Sequence, residues 1–208
     1  MFATESYKTG RTPEFAITSD ARALRLLHEH RKLSITANNY VLSHPALVGL
    51  GDDPVVSHLI SSSGFGPHDV VVVRLGAWGK IVTAICVPTR IWRDADLRAG
   101  LLDIKREAEE DLRTRCIVVP QRWLRANIRG SVARVIAQAR HTRYSPKQMT
   151  TIIEHLLRTK ISTLAEAAAV IPEHEDPFGA ILAMAAQGYV GLDRSAPLKG
   201  GSWLSTRN

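Results

Sequence analysis

The chain has 208 residues, 45% of them hydrophobic, and a formal charge of +7. That length holds one medium domain or two small ones, and the apolar share excludes a disordered chain. No apolar run reaches the roughly 20 residues needed to cross a bilayer, and no signal peptide opens the sequence, so a cytoplasmic protein without a membrane partner is expected.

Residues 1–14 are polar and read as a flexible N-terminus. A helix is expected over Phe15–Arg31, capped by Thr18 or Ser19, with Asp20 in its first turn and Ala23, Leu26, Leu27 and His30 facing inward. Ser34–Thr36 and Tyr40–Leu42 read as short strands or loop, and Val55–Ile60 as a strand.

Two runs rich in β-branched residues follow, Asp69–Leu75 and Lys80–Val87. The gap between them holds Gly76 and Gly79, which suits a hairpin. Leu97, Leu101, Ile104, Ala108 and Leu112 recur at helical steps, and Cys116–Val119 is a further strand closed by Pro120. Hairpin, crossover helix and strand make an α/β core with a mixed sheet, and near-continuous apolar strands imply burial on both faces. Cys86 and Cys116 fall inside these strands and read as buried free thiols.

Beyond Pro120 a helix is expected, with Arg122, Arg125 and Arg129 on one side and Gly130 weakening it. A boundary is placed at His141–Tyr144, dividing an α/β domain of 15–143 from a second domain of 144–208. Ser145-Pro146 opens a helix running to about Lys160; Ser162 or Thr163 caps another, Leu164–Ile171; Pro177–Gln187 is a third, ended by Gly188. Two short strands, Tyr189–Asp193 and Ser202–Ser205, flank a turn-rich tip, and Trp203 reads as a core residue. Three helices and a hairpin are the order of a winged helix-turn-helix.

Charge is unevenly spread. From Arg113 to Ile153 there is no Asp or Glu, while the window carries Arg113, Arg115, Arg122, Arg125, Arg129, Arg134, Arg140, Arg143 and Lys147. Cations without acidic neighbours suit phosphate contact, and arginine does so bidentately. Arg194 and Lys199 add two cations at the tip. Pro177–Gln187 carries few polar side chains, so base readout from it is not expected. The expected partner is double-stranded DNA.

The order of parts resembles the TnsA-type endonucleases of Tn7-like transposons. The resemblance rests on Pro67-His68-Asp69 ahead of a strand, on Asp176–Leu182 through Gly188-Tyr189-Val190, and on Asp193. It implies a restriction-endonuclease-like mixed sheet core with a C-terminal winged helix-turn-helix domain, and a transposase or other element-encoded protein as a second partner. It also implies a metal site with Asp69 as one ligand and Asp20 in place of the family's helical glutamate. The family needs Glu-x-Lys or Gln-x-Lys on the next strand, where this chain reads Thr83-Ala84-Ile85-Cys86-Val87. Apolar groups give Mg²⁺ no oxygen ligands. Asp20, Asp69 and Lys105 are therefore vestigial candidates, no metal site and no cofactor are expected, and the expectation is a DNA-binding protein with degenerate nuclease chemistry. The alternative is a Mg²⁺-dependent DNA endonuclease with a rearranged site using Lys105 and its helix. Read plainly, Asp103–Glu110 is a solvated helix face with i,i+4 ion pairs.

Overall fold

A computed structural model of the chain describes the backbone of residues 14–125 and 127–206, and the side chains of residues 20–125 and 129–206. The N-terminal stretch read as flexible lies outside them, apart from residue 14. Helix α1 spans Glu14–Ser43 without a break, so its backbone is helical ahead of the expected cap at Thr18 or Ser19. The short strands expected at Ser34–Thr36 and Tyr40–Leu42 are helical too. The cause is burial: Leu33, Ala37 and Val41 recur every four residues and are 1%, 5% and 7% exposed. That stripe overrides the local β preference of Ile35 and Thr36. Leu27 and Ala23, expected inside, face solvent.

Strand β1 is Leu47–Gly49 and helix α2 is Pro54–Ser62. The strand expected at Val55–Ile60 is thus a helix. Asp53 caps it by accepting from the Val56 N–H, Pro54 fits its first turn, and Val56 and Ile60 are buried one turn apart.

Strand β2 is Val71–Ala77, two residues later than expected, and β3 is Lys80–Val87. Ala77 pairs with Lys80, which leaves a two-residue turn of Trp78 (φ 48°) and Gly79 (φ 74°). Two positive φ values match the twist of a tight hairpin; glycine adopts one freely. After a short helix α3 (Thr89–Arg93), Asp94 caps α4 (Ala95–Glu110), and β4 is Cys116–Pro120. The sheet order is β1-β2-β3-β4, with β1–β2 and β2–β3 antiparallel and β3–β4 parallel. The mixed α/β sheet expected from the sequence is present. One face, with Ile85, Val87 and Cys116, packs against Val56 of α2 and Leu101 and Ile104 of α4. The other, with Val71 and Cys86, packs against Leu33 and Ala37 of α1.

The helix expected after Pro120 is two: α5 (Gln121–Leu124) and α6 (Asn127–Ala139). Gly130 does not break α6. A Cβ there would lie 2.8 Å from the Leu124 carbonyl oxygen, so glycine lets the end of α5 fold back onto α6. Then follow α7 (Pro146–Thr159), β5 (Ile161–Thr163), α8 (Leu164–Ala169), α9 (Pro177–Gln187), β6 (Val190–Leu192) and β7 (Trp203–Thr206). Ser145 with Gln148, and Thr163 with Glu166, form capping boxes. The unexpected β5 joins the hairpin in a three-stranded sheet, order β5-β7-β6. Residues Gly179 to Ala186 of α9 are all buried. Ala180, Ile181, Leu182 and Met184 among them pack with Ile152, Leu156, Leu164, Leu204 and, from α6, Val132 and Ile136. Arg140, at the end of α6, donates to the Leu42 carbonyl at 2.9 Å and so ties α6 to α1. Trp203, expected in the core, is 55% exposed, because alternation along β7 turns Leu204 inward instead. Among the described residues, no helix is long and apolar enough to cross a membrane.

Candidate functional site

Asp69 stands just ahead of β2. Its Oδ2 accepts from the Gly66 N–H at 2.8 Å, and its Oδ1 accepts from Arg90 Nη2 at 2.7 Å. Arg90, on α3, reaches the other way to Glu29 of α1, with Nε 3.3 Å from Oε2. One guanidinium therefore bridges two carboxylates, one from α1 and one from just ahead of β2. Asp20 does not take part: it is exposed, nine residues before Glu29 on α1 and so about 13 Å away along the helix axis. Sequence reasoning missed Glu29, because its ion pair with Arg90 joins two distant stretches of chain. Lys105 lies elsewhere, on α4, paired with Glu109 one turn on; Asp103 pairs with Arg106.

These residues do not suit Mg²⁺. Asp69 and Glu29 spend oxygens on Arg90, whose fixed positive charge repels a second cation. The neighbouring strand offers Cys86, and burial pushes its thiol up to about 12. Cys116 is pushed up to about 11 by burial and then by the carboxylates of Glu109 and Asp53. Both thiols stay protonated near neutrality and are poor nucleophiles and poor ligands.

Two histidines flank the bridge. The rings of His30 and His68 meet edge to face at 5.3 Å. His30 titrates below its ordinary value, first because burial disfavours its charged form and second because His68 stands beside it; hydrogen bonds to the Val70 and His68 backbone oppose both. Glu29, Asp69 and Arg90, the three members of the bridge, are next to these histidines in sequence or bonded to their backbone. A depressed histidine binds its proton less well folded than unfolded, so its contribution is complete above the ordinary value of 6.5 and is lost as pH falls from there through the lower folded value. Urea midpoints are therefore expected to fall between about pH 7.5 and about pH 5.5. His30→Gln should shrink that fall, and an unchanged fall would rule His30 out as its source.

The arginines expected to bind nucleic acid divide by position. Arg113 and Arg115 precede β4, while Arg122 and Arg125 follow it, so a five-residue strand of about 17 Å separates the pairs. Arg129 is exposed on the first turns of α6, its guanidinium carbon 5.5 Å from the centre of the Trp123 ring, a distance suited to a cation–π contact. Arg122 and Arg125 stand within two residues of the exposed Trp123 in sequence, in α5 and at its C-cap, so the three arginines are divided between α5 and α6 rather than set along one helix. Arg194, bonded to the Ala185 carbonyl at 3.5 Å, lines the same cleft as Arg129. Arg134 is exposed, about 140° round α6 from Arg129. Arg140 is spent on α1. Arg143, Lys147 and Lys199 are exposed.

No family model matches the chain, and no curated protein matches it significantly.

Proposed function

We propose that this protein binds double-stranded DNA and does not cut it, acting beside a transposase or another element-encoded protein. The observation that carries this is Arg90 set between Asp69 and Glu29, where a metal-dependent nuclease would hold its cation. An arginine there neutralises the carboxylates and cannot activate water as a metal does. The mixed sheet, with a carboxylate at the head of β2 and another on the first helix, α1, supports a restriction-endonuclease-like ancestry for the core. Helices α7, α8 and α9 with the three-stranded sheet support a winged-helix reading of the rest. In that reading α9 is too buried to enter a groove, and contact with the backbone falls to Arg122, Arg125, Arg129, Arg194 and Lys199. Phosphate contacts of this kind position a protein without reading sequence.

Two measurements test it. Supercoiled plasmid incubated with the protein and Mg²⁺ or Mn²⁺ is expected to stay intact; metal-dependent nicking abolished by Asp69→Ala would establish the endonuclease alternative instead. In gel shifts on unrelated duplexes, affinity is expected to fall steeply with salt, with a log–log slope of about 0.9 per phosphate contact. Weak, salt-insensitive binding would overturn the proposal.

A further inference from the structure

Between α1, α6 and the part of the sheet that α1 leaves open lies a cleft of about 690 Å³. That volume lies within the roughly 300–1,000 Å³ of small-molecule sites. The floor is made of small apolar groups from three strands, Val73, Ala84, Cys86 and Val119 among them. The lining includes Trp123 and Arg129, with the Tyr40 ring 5.5 Å from the Trp123 ring. Among the described residues, no Asp or Glu lines the cleft. The Trp123 ring holds the Arg129 guanidinium beside this chamber. The nucleic-acid backbone, which has no apolar body, makes no use of such a floor.

An apolar chamber with two arginines, Arg129 and the Arg194 that also bonds the Ala185 carbonyl, and no acid among its described lining residues favours one kind of guest. A wholly apolar molecule would leave the Arg129 guanidinium unused. A cation would be repelled. A molecule with an apolar body and one carboxylate satisfies both parts, since the body leaves water and the carboxylate takes a charge-assisted hydrogen bond. We propose that the cleft binds a small amphipathic carboxylate, its body on the floor of β2, β3 and β4 and its anionic end on Arg129. This site does not depend on the DNA-binding reading.

Isothermal titration of the 208-residue chain with decanoate, decan-1-ol and decyltrimethylammonium tests the proposal. Decanoate is expected to saturate at one per chain and decanol to bind about ten-fold more weakly, the ratio one charge-assisted hydrogen bond supplies. The cation is expected not to bind. Arg129→Gln should bring decanoate down to the level of decanol. Arg134→Gln, on another side of α6, should leave it unchanged. Val73→Phe, which fills the floor, should weaken decanoate and decanol alike; if that variant does not fold, the two arginine variants still decide. Equal binding of all three probes, decanoate binding indifferent to Arg129→Gln, or no saturable heat would each overturn the proposal. So would decanoate splitting a dimer in sedimentation, which would make a second copy of the chain the occupant.

Discussion

Replacing Arg122, Arg125 and Arg129 together by Glu is expected to lower affinity for double-stranded DNA on the order of 100-fold at fixed salt, and to reduce the salt slope by roughly three. The three arginines fall within eight residues, on α5, at its C-cap and on the first turn of α6, with Arg129 against the exposed Trp123 ring, so a duplex lying there is expected to meet them together. The loss should be equal on all sequences, since phosphates are alike everywhere. A loss confined to one duplex would assign these arginines to base readout. Undiminished affinity would move the contact surface elsewhere. Arg113→Glu with Arg115→Glu is the informative partner variant: a strand's length away, it should cost less.

Asp53→Ala is expected to cost about 2–4 kcal/mol of unfolding free energy, read from urea denaturation. Asp53 is 6% exposed and does two jobs. Its Oδ1 accepts from the Val56 N–H at 3.2 Å and so starts α2. Its Oδ2 accepts from the Thr83 hydroxyl at 2.6 Å, on a residue with no exposed surface in β3. Alanine removes the cap and strands that hydroxyl in the core without a partner, and each loss alone is worth about 1–2 kcal/mol. Asp53→Asn, which keeps an acceptor oxygen, should cost less. A change below about 0.5 kcal/mol, typical of surface positions, would show that the cap and the hydrogen bond carry no weight.

Where sequence and structure agree, the signal was local. The N-cap at Ser145, the cap expected at Ser162 or Thr163 and found at Thr163, the hairpin turn through Gly79 and the helical spacing of Leu101, Ile104 and Ala108 each lie within a few residues of the element they specify; Gly76, expected in that turn, lies in β2. Where they disagree, distant packing decides. Ile35 and Thr36 look extended by composition, yet they ride on a helix whose opposite side buries Leu33, Ala37 and Val41 against β2 and β3. Val55 and Val56 look like strand, but Asp53 anchors them to Thr83 as a helix. The three-residue strands β1 and β5 carry too little pattern to be read alone. The same holds for the site. Asp69 was legible from its place before a strand. Glu29 and Arg90 were not, since only folding brings them to it. The acid-free run of arginines was plain in the sequence, but its division by β4, and the use of Arg140 as a tie to α1, depend on the fold.

Helix α6 has a consequence for the molecule as a whole. It presents Val132 and Ile136 to α9 and its neighbours, while Arg140 is fastened to the backbone of α1. The two halves thus share a wall, since α6 gives buried side chains to one and a backbone tie to the other. The helix that carries Arg129 against Trp123 at its first turn is thus held further along by α9 and at its far end by α1, so the cation–π pair stands on a support fixed from two sides.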